Sequence, residues 1–289
     1  MQQQQQQQIL VQNSTTTFQL HLLSSVCFSA DQFLAVARNA WCTEYAPQRF
    51  HAIVMRLRQH DGRVGTDGSC THDGSSTSTT STTTTTALIF RSGRVVLTGV
   101  SCGSLTRIRN RCMRQARRVC KRVRMALVRG GHASVAGTLA VRHLTLCNLV
   151  STVRMPYRID IENLARHLGG VQRCAATRQN TLVADGQVGQ APPSHSHLIS
   201  HVRRVCLDLC TFPALRCTLE LTRNGSTAAS TLQTGSVAES ADVDGGHVCA
   251  TATLLFFVTG RVIVTGVRHP VELECATHAT RWLCAQFRR

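Results

Sequence analysis

The sequence predicts an α+β protein made of two similar halves, each an antiparallel sheet backed by helices. Three observations carry that prediction. ALIFRSGRVVLTGV from Ala87 to Val100 returns as LLFFVTGRVIVTGV from Leu254 to Val267, with eight of fourteen positions identical at a constant offset of 167 residues. A repeat spaced that widely is too long for a solenoid, so it marks a tandem duplication with halves related by a pseudo-two-fold axis. Short period-two apolar segments bounded by Gly, Ser and Thr clusters alternate with longer helix-period segments. Finally, both halves are interrupted by a Gly/Ser/Thr-rich insertion at the same hairpin. Loop tips accept insertions because each doubling of loop length costs only about 0.6 kcal/mol.

The elements follow in order. Gln2 to Gln8 is a glutamine tract with nothing apolar to bury, expected to be disordered. Phe18, Leu20 and Leu22 alternate with Gln19 and His21 as a half-buried strand, and Ser29 to Ala40 reads as a helix. FHAIVMRLR from Phe50 to Arg58 is a strand with Ile53, Met55 and Leu57 on one face and Val54, Arg56 and Arg58 on the other. A polar hairpin insertion over 60–85 precedes strands Thr86 to Phe90 and Arg94 to Gly99, which turn at Ser92 and Gly93. Leu105 to Met125 is an arginine-studded helix.

The second half repeats the plan. A strand spans Thr145 to Val153 and a helix lies near Ile159 to Leu168. Polar residues over 169–200 form a loop, with a short helix expected before Leu209. FPALRCTLEL from Phe212 to Leu221 parallels FHAIVMRLR, a second insertion covers 222–246, and the last helix runs from about Val271 to Gln286.

Composition narrows the function. Of 289 residues, 43% are apolar, enough for a real core. The net charge of +17 attracts a polyanion. Basic residues are nearly all arginine, Lys121 being the lone lysine, which a base-composition bias of the genome explains equally well. Fourteen cysteines form no CxxC pair, and no secretory signal precedes them, so scattered reduced thiols are expected in a soluble intracellular protein. Cys70 with His72, and Cys206 with Cys210, come nearest to ligand spacing, and neither completes a metal set. The longest apolar run, Leu254 to Val258, is far shorter than the roughly 18 residues of a membrane span. No catalytic triad, carboxylate pair or phosphate loop is visible, so no enzyme and no cofactor are expected.

The predicted strands are apolar on both faces: Ala87 and Ile89 oppose Leu88 and Phe90, and Leu254 and Phe256 oppose Leu255 and Phe257. Helices covering both faces would explain this. With two helices per half, one face instead stays open for a large partner. The DNA minor groove suits such a face, with acceptors on its floor and apolar sugars on its walls.

These residues resemble the TATA-box-binding protein family. The first half is similar to its first repeat through ARNA (Ala37 to Ala40), EYAPQRF (Glu44 to Phe50), IVMRLR and TTALIFRSGRVVLTG; the second through CNLVSTV, IDIENL, TFP and LLFFVTGRVIVTG. The resemblance implies a saddle, a curved sheet of about ten antiparallel strands with four main helices on its convex face. It divides the chain into a tract at 1–8, a first repeat over 9–130 and a second over 131–289. It also implies a nuclear, non-enzymatic general transcription initiation factor that binds and bends A/T-rich promoter DNA through the minor groove. Basal transcription factors and the RNA polymerase machinery would be its partners, and preinitiation complex assembly its result.

By this resemblance the intercalating phenylalanines are Phe50, Phe90, Phe212 and Phe257. Asn148 reads the groove with Val150 beside it, apolar contacts fall on Leu88, Val96, Leu255 and Ile263, and threonine contacts on Thr98 and Thr265. Arg56, Arg94 and Arg261 meet phosphates or sugars. The first-repeat counterpart of Asn148 is Asn13 with an added four-residue shift, or Thr17 without one. Thr218 replaces a usual arginine. Partner contacts fall on Arg107 and Arg111 of the basic helix, and Asp208 retains part of an acidic docking loop. Three other readings compete: a scaffold of the same fold with relaxed DNA binding, an arginine-rich RNA-binding helix supported by the sheet, and an accessory domain of a nucleic-acid enzyme.

Overall fold

The computed structural model describes residues 9–22, 27–59, 83–169, 199–221 and 250–289. The glutamine tract and nearly all of the insertions expected at 60–85, 169–200 and 222–246 lie outside them. Residues Leu10–Asn148 form one compact unit, and Leu149–Arg289 make up the body of a second. Among the described residues, ten strands, all antiparallel, and five α-helices make the chain α+β.

In the first unit, β1 (Val11–His21), β2 (Thr43–Glu44), β3 (Ala52–Gln59), β4 (Thr83–Phe90) and β5 (Arg94–Thr98) lie in the order β2-β3-β4-β5-β1. Three threonines expected in the insertion, Thr83 to Thr85, belong to β4, where they pair with Leu57, Arg58 and Gln59. Ile53, Met55 and Leu57 of β3, Ala87 and Ile89 of β4, and Val95 and Leu97 of β5 are buried, while Val54, Leu88, Val96 and Thr98 between them are partly exposed. Two helices, α1 (Ala30–Asn39) and α2 (Ile108–Arg129), pack on each other, and α2 reaches the buried face of β1.

Local chemistry sets these helix ends. Ser29 caps α1 reciprocally with Gln32: the Ser29 hydroxyl accepts from the Gln32 N–H at 3.1 Å, and Gln32 Oε1 accepts from the Ser29 N–H at 2.9 Å. The arginine-rich helix begins with a tight turn over Leu105–Arg107 and runs past the expected Met125 to Arg129. Ile108, Cys112, Val119, Val123 and Leu127 form its buried stripe. A short helix not expected from sequence, α3 (Ala133–Thr138), follows it.

The second unit repeats the sheet. Strands β6 (Ala140–Arg154), β7 (Ile199–Leu207), β8 (Leu215–Leu221), β9 (Ala250–Phe256) and β10 (Arg261–Val267) are ordered β6-β10-β9-β8-β7. Helix α4 (Ile161–His167) packs on β7 and β8, and α5 (Pro270–Gln286) on β8, β9 and β10. Asp160 caps α4 by accepting from the Asn163 N–H, and that bond is the main reason its carboxyl sits below the ordinary carboxylate range. Pro270 at the first position and Glu272 reaching back to the His269 N–H start α5.

One expectation fails here. The stretch before Leu209 is the strand β7, not a short helix. Register irregularities between Ile199 and His201 and between Val202 and Arg204 break its alternation. The buried residues Val202 and Val205 then stand three apart, which reads as a helical period in sequence.

The alternative that helices cover both faces also fails. In each unit one sheet face is buried beneath helices, and alternate residues of the other face keep partial exposure. Among the described residues no helix is long and apolar enough to cross a membrane.

Candidate nucleic-acid interface

Each unit carries one pair of phenylalanines on matched scaffolds. In the first, Phe50 and Phe90 pack edge to face with ring centroids 6.0 Å apart; in the second, Phe212 and Phe257 do so, also at 6.0 Å. The Phe50 N–H donates to the Ala46 carbonyl at 3.0 Å, and the Phe212 N–H to the Asp208 carbonyl at 2.9 Å. Both rings therefore end a one-turn loop just before a strand. Their partners end the preceding hairpin strands, where the Phe90 and Phe257 carbonyls accept from Gly93 and Gly260 at 2.9 and 3.0 Å. Phe50 is 44% exposed and Phe212 39%, unusual for rings that size, whereas the neighbouring Phe256 is fully buried.

In strand register Asn13, not Thr17, stands level with Asn148. In the first unit Thr17 pairs with Val96 and Thr15 with Thr98; in the second Thr152 pairs with Ile263 and Ser151 with Val264. Thr17 is thus the counterpart of Thr152, and counting back four residues brings Asn13 level with Asn148. Both ladders are then interrupted at a glycine, Gly99 with φ +88° and Gly266 with φ +89°. Beyond the interruption Val267 pairs with Leu149, and the Ser14 hydroxyl donates to the Val100 carbonyl at 3.1 Å. The Gly99 N–H donates to Asn13 Oδ1 at 2.8 Å, fixing the amide.

The remaining candidates separate by location. Leu88, Val96, Thr98, Val150, Leu255, Ile263 and Thr265 all lie partly exposed on the open sheet faces, as does Asn148. Arg94 and Arg261 are exposed at matched strand starts. Arg56 is exposed and faces Glu44 at 3.6 Å. Asp208 is committed locally: its carbonyl accepts from Phe212 and its Oδ1 from the Cys210 N–H at 3.2 Å, so it shapes the loop that carries Phe212.

Arg107 is exposed on the turn before α2, and Arg111 is half-buried on it. Other arginines of α2 have structural work that sequence did not reveal. Arg118 donates to the Arg58 carbonyl, Arg122 to the carbonyls of Arg56 and Trp41, and Arg129 to that of Asn39. Only the packing of α2 along β3 and the end of α1 brings these groups together.

A duplicated antiparallel sheet with an open, partly apolar face and paired phenylalanines defines the class of protein. Residues 11–109, in the first unit, match the model of the family described as transcription factor TFIID, or TATA-binding protein. No curated protein matches the chain. Among solved structures, the TATA-binding protein of Methanococcus jannaschii matches with 14% identity and a TM-score of 0.48, covering 96% of this chain and 99% of that one.

Proposed function

We propose that the protein binds the minor groove of A/T-rich promoter DNA, bends it, and nucleates a preinitiation complex in the nucleus. The observation that carries this reading is the matched pair of phenylalanine couples, partly exposed, at the same hairpin of both units. Unstacking a base step costs a few kcal/mol, least at flexible steps such as TA, and wrapping more apolar sheet against the bent duplex offsets it. This family is itself the standard example of such wedging.

The open faces supply the rest. Leu88, Val96, Leu255 and Ile263 would line the groove, with Thr98, Thr265 and Val150 beside them. The amides of Asn13 and Asn148 would donate to adenine N3 and thymine O2. Asn13 is suited to this, because Gly99 occupies its oxygen and leaves the NH2 end for the ligand. Arg56, Arg94 and Arg261 would meet the backbone. Arg107 and Arg111 are the candidate contacts for basal factors, and Asp208 would act there through the loop it shapes.

The test is the Phe90→Ala, Phe257→Ala double variant in an end-to-end fluorescence assay on an A/T-rich duplex. Loss of the bend, with affinity weakened at least a hundredfold (about 2.7 kcal/mol), is expected. Equal bending by wild type and variant would overturn the wedge assignment. RNA affinity that survives both substitutions, without duplex bending, would favour the RNA-helix reading.

A further inference from the structure

The two open faces match in shape and differ in charge. Reading across the strands of the second unit, one row holds Arg154 and Arg261, which are direct partners, ending at Phe257. The next row holds Thr152, Ile263, Leu255, Arg216 and Cys206; the third holds Thr265, Thr253, Thr218 and Arg204. The corresponding rows of the first unit hold Gln19 and Arg94; then Thr17, Val96, Leu88, Val54 and Glu44; then Thr15, Thr98, Thr86 and Arg56.

Three replacements follow. Arg154 stands where the first unit has Gln19, Arg216 where it has Val54, and Arg204 beside Thr218, where the first unit has Arg56 on the neighbouring strand. In the first unit Glu44 sits opposite Val54 and within 3.6 Å of Arg56, partly cancelling its charge. In the second, Arg154, Arg204, Arg216 and Arg261 are all exposed, and none meets a carboxylate among the described residues. Glu220, in the following row, is taken by Arg203.

Like charges directly across a strand pair repel. Arg154 opposite Arg261 is such a pair, and Arg204 lies diagonal to Arg216. A sheet that holds four exposed guanidiniums around Leu255, Ile263 and Phe257, with no carboxylate partner among the described residues, calls for an anion with several charges. The two arginine groups sit on either side of β9, from roughly 10 Å apart across the sheet for Arg261 and Arg216 to roughly 19 Å for Arg154 and Arg204, at two and four strand spacings. A duplex presents charges of that kind on both sides of its groove, and guanidinium forks bind phosphate oxygens bidentately.

We infer that Arg154, Arg204 and Arg216, with Arg261, form a phosphate clamp on the second unit that holds the backbone of double-stranded DNA. This rests on the reading given under Proposed function and adds a division of labour. The second unit contributes a strongly salt-dependent, sequence-tolerant grip, and the first relies more on its apolar face. It also replaces the arginine missing at Thr218 with one from the adjacent strand.

Fluorescence anisotropy with one A/T-rich duplex across a salt series tests the clamp. For the triple variant R154Q/R204Q/R216Q, the slope of log K against log salt should become shallower by about 0.9 for each lost contact. The lysine triple variant should keep the wild-type slope, because charge rather than shape is released. Arg166→Gln, exposed on α4 of the same unit, controls for net charge and should leave the slope unchanged. Thermal unfolding confirms that the variants fold. Wild-type slope in the glutamine triple variant overturns the clamp, as does an equal loss in R166Q. A wild type that binds with a steep slope but does not bend overturns the wedges and not the clamp. A wild type that binds no duplex overturns both.

Discussion

At the scale of single residues, threonine hydroxyls divide into used and unused ones. Thr98 and Thr265 face the open side, while Thr16 is fully buried in β1 and its Oγ1 has no hydrogen-bond partner. A buried hydroxyl without a partner keeps its desolvation cost and returns nothing. Thr16→Val should therefore stabilise the protein by about 1 kcal/mol, read as a melting temperature raised by a few degrees. A lower melting temperature would show that Thr16 does find a partner. Sequence could not separate these threonines, because facing depends on strand register. The four phenylalanines, by contrast, were legible, since duplication placed each beside the same hairpin motifs as its mate.

At the scale of elements, the glycine that breaks the first ladder governs the groove-facing amide. A Cβ at Gly99 would lie 2.5 Å from the Thr84 carbonyl oxygen, on a backbone with φ +88°. At Gly266 the nearest atom, the Thr251 oxygen, is 3.5 Å away, so only the dihedral penalty applies there. Gly99→Ala should destabilise by about 2–3 kcal/mol and Gly266→Ala by about 1 kcal/mol in urea unfolding. Equal losses would contradict the close approach at Gly99. The paired strands β4 with β5 and β9 with β10 were readable in advance because the turn at Ser92 and Gly93 and its duplicated counterpart mark both hairpins. Strand β7 was not: its bulges put Val202 and Val205 at a helical spacing, and only pairing with β8 shows them to be strand residues.

For the molecule as a whole, the charge of +17 sets long-range attraction to polyanions, and buried thiols, Cys217 and Cys284 above all, make stability fall at alkaline pH. Burial pushes Cys217 and Cys284 from an ordinary 9.0 up to about 12. Both remain protonated in the folded state when the unfolded chain has begun to ionise. Their contribution is thus complete below about pH 9 and is lost as the pH rises toward about 12. Urea midpoints should hold steady up to pH 8.5 and fall above it, and alanine at both positions should flatten that fall. An unchanged slope in the double variant would assign the alkaline loss to other groups.

The sequence by itself determined the duplication, the α+β class and most strands and helices, because each is a local pattern repeated along the chain. Tertiary structure alone decided whether Asn13 or Thr17 stands level with Asn148, how Asp208 and the arginines of α2 are spent, and where Arg154, Arg204 and Arg216 gather. Those depend on which residues stand opposite one another across strands. A single bulge or longer loop changes that pairing without leaving a periodic trace in the sequence.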